Sequence, residues 1–313
     1  MKWSPMAGYK MVWKKLNNPC NQTFYLSLFR IYLCFHLLKK VILLWPSANF
    51  LFGEGSFVER PTIFLDVLFI DMTFLAKNSQ LFLSIILILI ALFAFGIGRW
   101  ITATLLFLCW FILQKLNVYI LNGGDNYLIF ILLYMIFANS YSYFSIDKTT
   151  FPKEGSIGNF LTKLSIYSIT MHLCLIYFIS GISKLHADLW YNGVAVYYIL
   201  NLERFKGTEY NELISKNGLL VTIATYGTML WEALFPFLVY NKTFKNMTII
   251  GGVVLHLSIY VFMMIHDFEI LYIAVYGFFF KDEDILKIKR SLTKGIDSLS
   301  SYLKSGLTKH PIT

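Results

Sequence analysis

Long apolar stretches joined by short polar connections dominate this chain. A membrane-spanning helix needs about 20 predominantly apolar residues. Between Gln80 and Ile146 only Arg99, Lys115 and Asp125 are charged, and that stretch divides into spans near 80–98, 100–121 and 126–145. Residues 164–183 and 246–265 contain no Asp, Glu, Lys or Arg, and 218–240 carry only Glu232. Residues 23–45 form a first span interrupted by Arg30, Lys39 and Lys40. The apolar run 268–280 is short and reads as a last short span or a half-inserted segment. Residues 61–76, with Asp66 and Asp71, read as re-entrant or interfacial. The pattern predicts an all-α polytopic transmembrane bundle of about eight spans, the two ambiguous segments leaving seven or nine open.

Both tails read as interfacial amphipathic helices. Ser4-Pro5 has the form of an N-cap followed by proline at the first helical position, and Met6, Tyr9, Trp13 and Leu16 recur at helical spacing. In the other tail Ile285, Ile288, Leu292, Ile296, Leu299 and Leu303 recur every three or four residues, with lysines between them. A partner-binding helix is the rival reading there. The chain thus divides into an interfacial segment (1–22), a transmembrane domain (23–280) and a basic amphipathic tail (281–313).

Composition agrees with this pattern. Of 313 residues 57% are hydrophobic and only 14% charged, against roughly 25% in an ordinary soluble domain. A soluble globular enzyme and a disordered chain are excluded. The net charge of +9 would suggest nucleic acid in a soluble protein. Here the basic residues flank apolar runs, so they report topology and anionic headgroups instead, and no nucleic-acid partner is expected. With the N-terminus inside, seventeen Lys and Arg fall on inner segments and six on outer ones. Both termini are therefore expected in the cytoplasm, in the plasma membrane if the host is bacterial. The first span would then act as an uncleaved anchor, and the sequons at Asn21, Asn241 and Asn246 would stay unmodified. Cys20, Cys34, Cys109 and Cys174 have no metal-type spacing and read as packing residues.

Ionisable residues at membrane depth are costly, and each is a candidate site. Arg30 would pair with an acid on another helix or snorkel to the inner interface; Lys39 and Lys40 would snorkel outward. Asn122-Gly123-Gly124-Asp125 reads either as a tight turn or as a carboxylate at a pocket mouth. Lys184 falls where the fifth span reaches the outer interface. It would anchor that helix end, or, if buried among Trp190, Tyr197 and Tyr198, become a neutral amine base. Glu232 would be protonated or paired, with Arg30 or Lys184 as partner. Pro236, four residues later, removes the donor to the residue-232 carbonyl. His256 and His172 lie inside spans, where a lone histidine is more often a packing residue than a ligand.

The segment YFISGISKLHADLW at 177–190, continued by Trp190-x-x-Gly193, resembles the form YFxAGxKKLDADW of the vitamin K-dependent gamma-carboxylases. Phe29-Arg30, the Gly-Gly-Asp turn at 123–125, Glu232, and His256 followed by Phe268 fall in matching order. Over roughly 23–280 the chain resembles the HTTM (horizontally transferred transmembrane) domain that includes those enzymes. The resemblance implies an outward-facing pocket with Lys184 as base, and Glu232 and His256 as further catalytic residues. Asp125, Trp190, Tyr197 and Arg30 would line the cofactor site, and the cofactor would be a reduced quinone of the vitamin K type. The implied partners are the lipid bilayer, an exported peptide substrate and a small accessory protein. Two features depart from the carboxylase pattern: Ser142 stands where those enzymes have histidine, and with about thirty residues after the last apolar segment the large lumenal domain of those enzymes is expected to be missing. In size the chain is closer to the bacterial sporulation-delaying protein B group, needed to mature a secreted peptide toxin. That group tends to have arginine near position 184. The alternative reading is a non-catalytic membrane component that binds a peptide or a lipid-soluble quinone and assists a partner protein.

Overall fold

A computed structural model describes residues 16–53, 56, 72–287 and 290. The tail helices expected around 4–16 and beyond 290, and most of segment 61–76, lie outside the described residues.

Each of the eight apolar segments contains a helix: α1 (Thr23–Leu44), α2 (Ser79–Phe95), α3 (Arg99–Leu116), α4 (Gly123–Phe137), α5 (Ile157–Leu185), α6 (Gly218–Leu238), α7 (Lys245–Met263) and α8 (Asp267–Tyr276). Among the described residues there is no strand. Four helices, α3, α5, α6 and α7, are long and apolar enough to cross a membrane, consistent with an integral membrane protein. Helices α2 and α4 are apolar but shorter.

Local signals set several boundaries. Ser156 caps α5 by accepting from the Asn159 N–H at 3.2 Å. Asn217 accepts from the Leu219 and Leu220 N–H groups at the start of α6. Asn122 and Asp125 form a capping box at the start of α4. Gly96, at φ +68°, ends α2 in the left-handed conformation that glycine tolerates. The Asp282 carboxylate reaches back to the start of α1 and accepts from the Phe24 and Tyr25 N–H groups at 2.8 and 2.9 Å. Burial pushes the Asp282 carboxyl above its usual range, against these N–H bonds, which favour the ionised form.

The helices divide into two unequal halves. Leu26, Leu33 and Leu37 of α1, Leu83 and Ile86 of α2, Leu128 and Ile131 of α4 and Leu173 of α5 are fully covered. So are Leu271 and Val275 of α8. At ten residues α8 is only about 15 Å long, and it is packed inside the bundle against α1, α4, α5 and α7. Cys34 and Cys174 are buried, and all four cysteines are free thiols, as packing residues would be. In α6 and α7 only a narrow stripe is covered, and Ile223, Leu230, Leu234, Phe237, Ile250, Val254 and Val261 are exposed. Apolar side chains on the outer face of long helices suit contact with hydrocarbon.

Candidate functional site

Helices α5 and α6 run against each other more extensively than any other pair. Gly181 allows this approach: a Cβ there would meet the Ala233 backbone nitrogen at 2.4 Å. One turn further on, Lys184 Nζ reaches Glu232 Oε2 at 2.5 Å and donates to Ser180 Oγ at 2.6 Å. The Trp190 ring lies 5.0 Å from the same nitrogen. Of the two partners expected for Glu232, the structure selects Lys184. Glu232 lies about 20 Å along α6 from Gly218, past the middle of the helix. Because α5 ends at Leu185 beside this part of α6, the Lys184 side chain meets an acid of the neighbouring helix. Pro236 lies inside α6 and leaves the Glu232 carbonyl without its usual helical donor.

Lys184 and Glu232 form part of the wall of a cavity of about 480 Å³ between α6, α7 and the segment 186–217. Most of the lining is apolar, with Trp190, Trp231, Leu200 and Leu255 among the walls. Gly227 and Val254 are exposed members of the lining, so the cavity opens on the face between α6 and α7. The short helix Ala195–Asn201 covers it from one side. The Val196 N–H donates to Thr225 Oγ1 at 3.2 Å, and Asn211 donates to the carbonyls of Leu200, Phe205 and Phe262. These bonds fasten the covering segment to α6 and to the end of α7.

Behind the cavity lies a buried polar chain. Tyr177 Oη is 2.5 Å from His256 Nε2 and 2.7 Å from Tyr276 Oη. His256 Nδ1 in turn bonds Glu269 Oε2. All four side chains are nearly or fully covered, Glu269 completely. Trp231 joins the two regions: it lines the cavity and its ring packs edge-on against Tyr177, with centroids 5.1 Å apart.

The other expected site residues lie elsewhere. Tyr197 is exposed and packs edge-on against Tyr198. Asp125 pairs with Lys40 at 2.6 Å, and Lys39 pairs with Asp267 at 2.7 Å. The two lysines expected to snorkel thus form an ion-pair cluster with α4 and α8, and Asn122 and Asp125, which cap α4, also line a small chamber there. Among the described residues Arg30 meets no acid and reaches the connection that follows α4 instead. It is fully covered and donates to the carbonyls of Ser140, at 2.9 Å, and Phe144, with the Tyr141 ring 5.0 Å from its guanidinium carbon. His172 is a packing residue as expected, bonded to Tyr134 Oη at 3.2 Å. The expected set therefore separates into a Lys184–Glu232–Trp190 cluster, with His256 in the chain behind it, and three outliers, Arg30, Asp125 and Tyr197. Glu269, Tyr177 and Tyr276 were not singled out. Glu269 carried a usable signal, an acid within an otherwise apolar run.

Among the described residues no three His, Cys, Asp or Glu side chains gather as metal ligands would. No family model matches the chain, and no curated protein or solved structure matches it either.

Proposed function

We propose that this is a multi-pass membrane protein with both termini cytoplasmic, whose cavity brings an apolar ligand to the amine of Lys184. In its specific form the reading is an HTTM, gamma-carboxylase-like protein that modifies or matures an exported peptide, with Lys184 as base. The observation that carries it is the Lys184–Glu232 pair, set in the wall of a largely apolar cavity. A volume of about 480 Å³ lies within the range of small-molecule sites. Trp190 and Trp231 offer flat walls to a ring system, so the residues present fit a quinone of the vitamin K type. Such a group would supply an acidic hydroxyl when reduced.

The chemistry assigned to this chain is proton handling. In its ammonium form Lys184 cannot act as a base. An apolar ligand displaces water and raises the cost of both charges. Transfer of the proton from Lys184 Nζ to Glu232 Oε2 then converts the ion pair into a neutral amine and a neutral acid. The amine lone pair can take a proton from the ligand, which returns Lys184 to its ammonium form. Ser180 and Trp190 hold the nitrogen in place through this cycle.

A second reading is a non-catalytic component that binds a peptide or quinone for a partner protein. The close α5–α6 contact at Gly181 favours it, because an ion pair there also locks two helices together. Lys184→Ala and Lys184→Arg separate the two when assayed for modification of peptides encoded beside the gene, with membrane insertion checked for each. The base reading expects loss in both variants. Full activity in both removes it, and loss in Ala with rescue by Arg marks a fixed positive charge.

A further inference from the structure

The Lys184 cavity is closed at two ends and open between them. Toward the α6 end at Gly218 and the α7 end at Met263, the helix Ala195–Asn201 lies across it, fastened through Thr225 and Asn211, and Phe262 adds to the wall. Tyr226 Oη also donates to the Tyr191 carbonyl at 2.7 Å. Toward the opposite ends, Trp231 fills the seam between the two helices. Its indole N–H donates to the Thr248 carbonyl at 3.1 Å, and a Cβ on Gly252 would meet its ring at 2.6 Å. Between these closures lie Gly227 and Val254, both exposed and both part of the lining. A Cβ on Gly227 would meet nothing within 4 Å, so the seam is open at this level.

The level of the opening decides what enters it. Gly227 lies about 14 Å along α6 from Gly218, and Val254 about 14 Å along α7 from Met263. Both helices are long and apolar enough to cross a membrane, and half of a hydrocarbon core is about 15 Å. The opening therefore falls near the middle of the bilayer, where acyl chains surround it. The neighbouring side chains agree: Ile223, Leu230, Ile250 and Val261 are exposed and apolar, and residues 246–263 contain no Asp, Glu, Lys or Arg. We propose that this opening is a portal through which the ligand enters sideways from the bilayer, and that the ligand is a lipid whose head group lies in the cavity while its hydrocarbon chain passes out through the portal. This rests on the reading of the cavity as a ligand site. Size and polarity fit the division. About 480 Å³ is enough for a head group of two or three rings, since roughly 150 Å³ takes up one benzene, but not for a long chain as well. Lys184 and Glu232 are the charged members of the wall, so the polar end of the ligand belongs beside them.

The test needs neither a quinone nor a reaction. The full chain is placed in nanodiscs of phosphatidylcholine carrying a photoreactive diazirine at mid-chain, and the adducts are located by mass spectrometry. A parallel sample is exposed to hydroxyl radicals generated in the water. Trp231, on the cavity wall, is the reporter. Leu108, exposed midway along α3, marks direct contact with lipid, and Tyr210, exposed on the covering segment, marks contact with water. The expected result is that Trp231 takes up the lipid carbene as Leu108 does and escapes the radicals that oxidise Tyr210. Val254→Trp and, separately, Gly227→Phe should plug the portal and lower the lipid labelling of Trp231 at least tenfold, with Leu108 unchanged. Oxidation of Trp231 to the extent of Tyr210 places an entrance on the aqueous side and overturns the proposal. So does the absence of both labels from Trp231, or lipid labelling that neither plug reduces. Failure of a vitamin K-type quinone to bind, with the expected labelling intact, removes the quinone reading and leaves the portal standing.

Discussion

Arg30 and Lys184 are both cations inside apolar helices, and the bundle treats them in opposite ways. Arg30 is sealed, with carbonyl oxygens as partners and an aromatic ring beside it. Its planar fork of donors ties α1 to the connection that follows α4, and no carboxylate among the described residues shares its charge. Lys184 is only half-buried, its partner is an acid, and both belong to a cavity wall. A guanidinium stays protonated under all ordinary conditions, so Arg30 can hold structure but cannot exchange a proton. An amine beside a carboxylate, at a surface a ligand can dry, can do so. Charge within a span therefore identifies a candidate, and the partner decides its role.

The comparison breaks most sharply in the stability of Arg30→Met and Lys184→Met. Arg30→Met leaves the carbonyl of the fully covered Ser140 without its donor, at about 1–3 kcal/mol, and removes the bond to Phe144 as well. Thermal unfolding in detergent should show the larger loss there. Lys184→Met should lower the melting temperature less, because Glu232 borders the cavity and is not sealed in the core. Equal losses would make Lys184 a structural cation like Arg30.

Tyr177→Phe tests the polar chain behind the cavity. It removes the hydroxyl between His256 and Tyr276 and should cost about 1–3 kcal/mol in the same melting experiment. An unchanged melting temperature would mean that the chain contributes nothing to the packing of Trp231.

The smallest effect is expected at Asp282, at the far end of α1. Its carboxyl is raised in the fold, first by burial, so the protonated form is favoured there. The stability it contributes is present below the ordinary carboxylate range and is lost as pH rises through the folded value. Asp282→Asn should therefore flatten the pH dependence of melting across the mildly acidic range. Parallel profiles for the two proteins would contradict this sign.

The sequence showed where helices form because apolar run length and cap residues act locally. Ser156, Asn122 and Asn217 sit where the helices they start begin. It also narrowed the partner of Glu232 to Arg30 or Lys184, since few charges occur in those spans, and the structure selects Lys184. It could not show that Lys40 meets Asp125 or that Arg30 meets carbonyls, because those contacts depend on which helices are neighbours. Nor did it show that α8 is an inner helix. A mostly apolar helix of ten residues fits a core position as well as a half-inserted one, and the coverage of Leu271 and Val275 decides between them.

The most direct test of the account is to fill the Lys184 cavity without disturbing the pair. Gly227 lines that cavity, and a side chain there would meet nothing within 4 Å of its Cβ. Gly227→Phe should keep or raise the melting temperature, since glycine is a poor residue within a helix, while binding of a vitamin K-type quinone, measured by calorimetry in nanodiscs, falls at least tenfold. Quinone binding that persists unchanged in a stably folded Gly227→Phe protein would contradict the assignment of this cavity as the site.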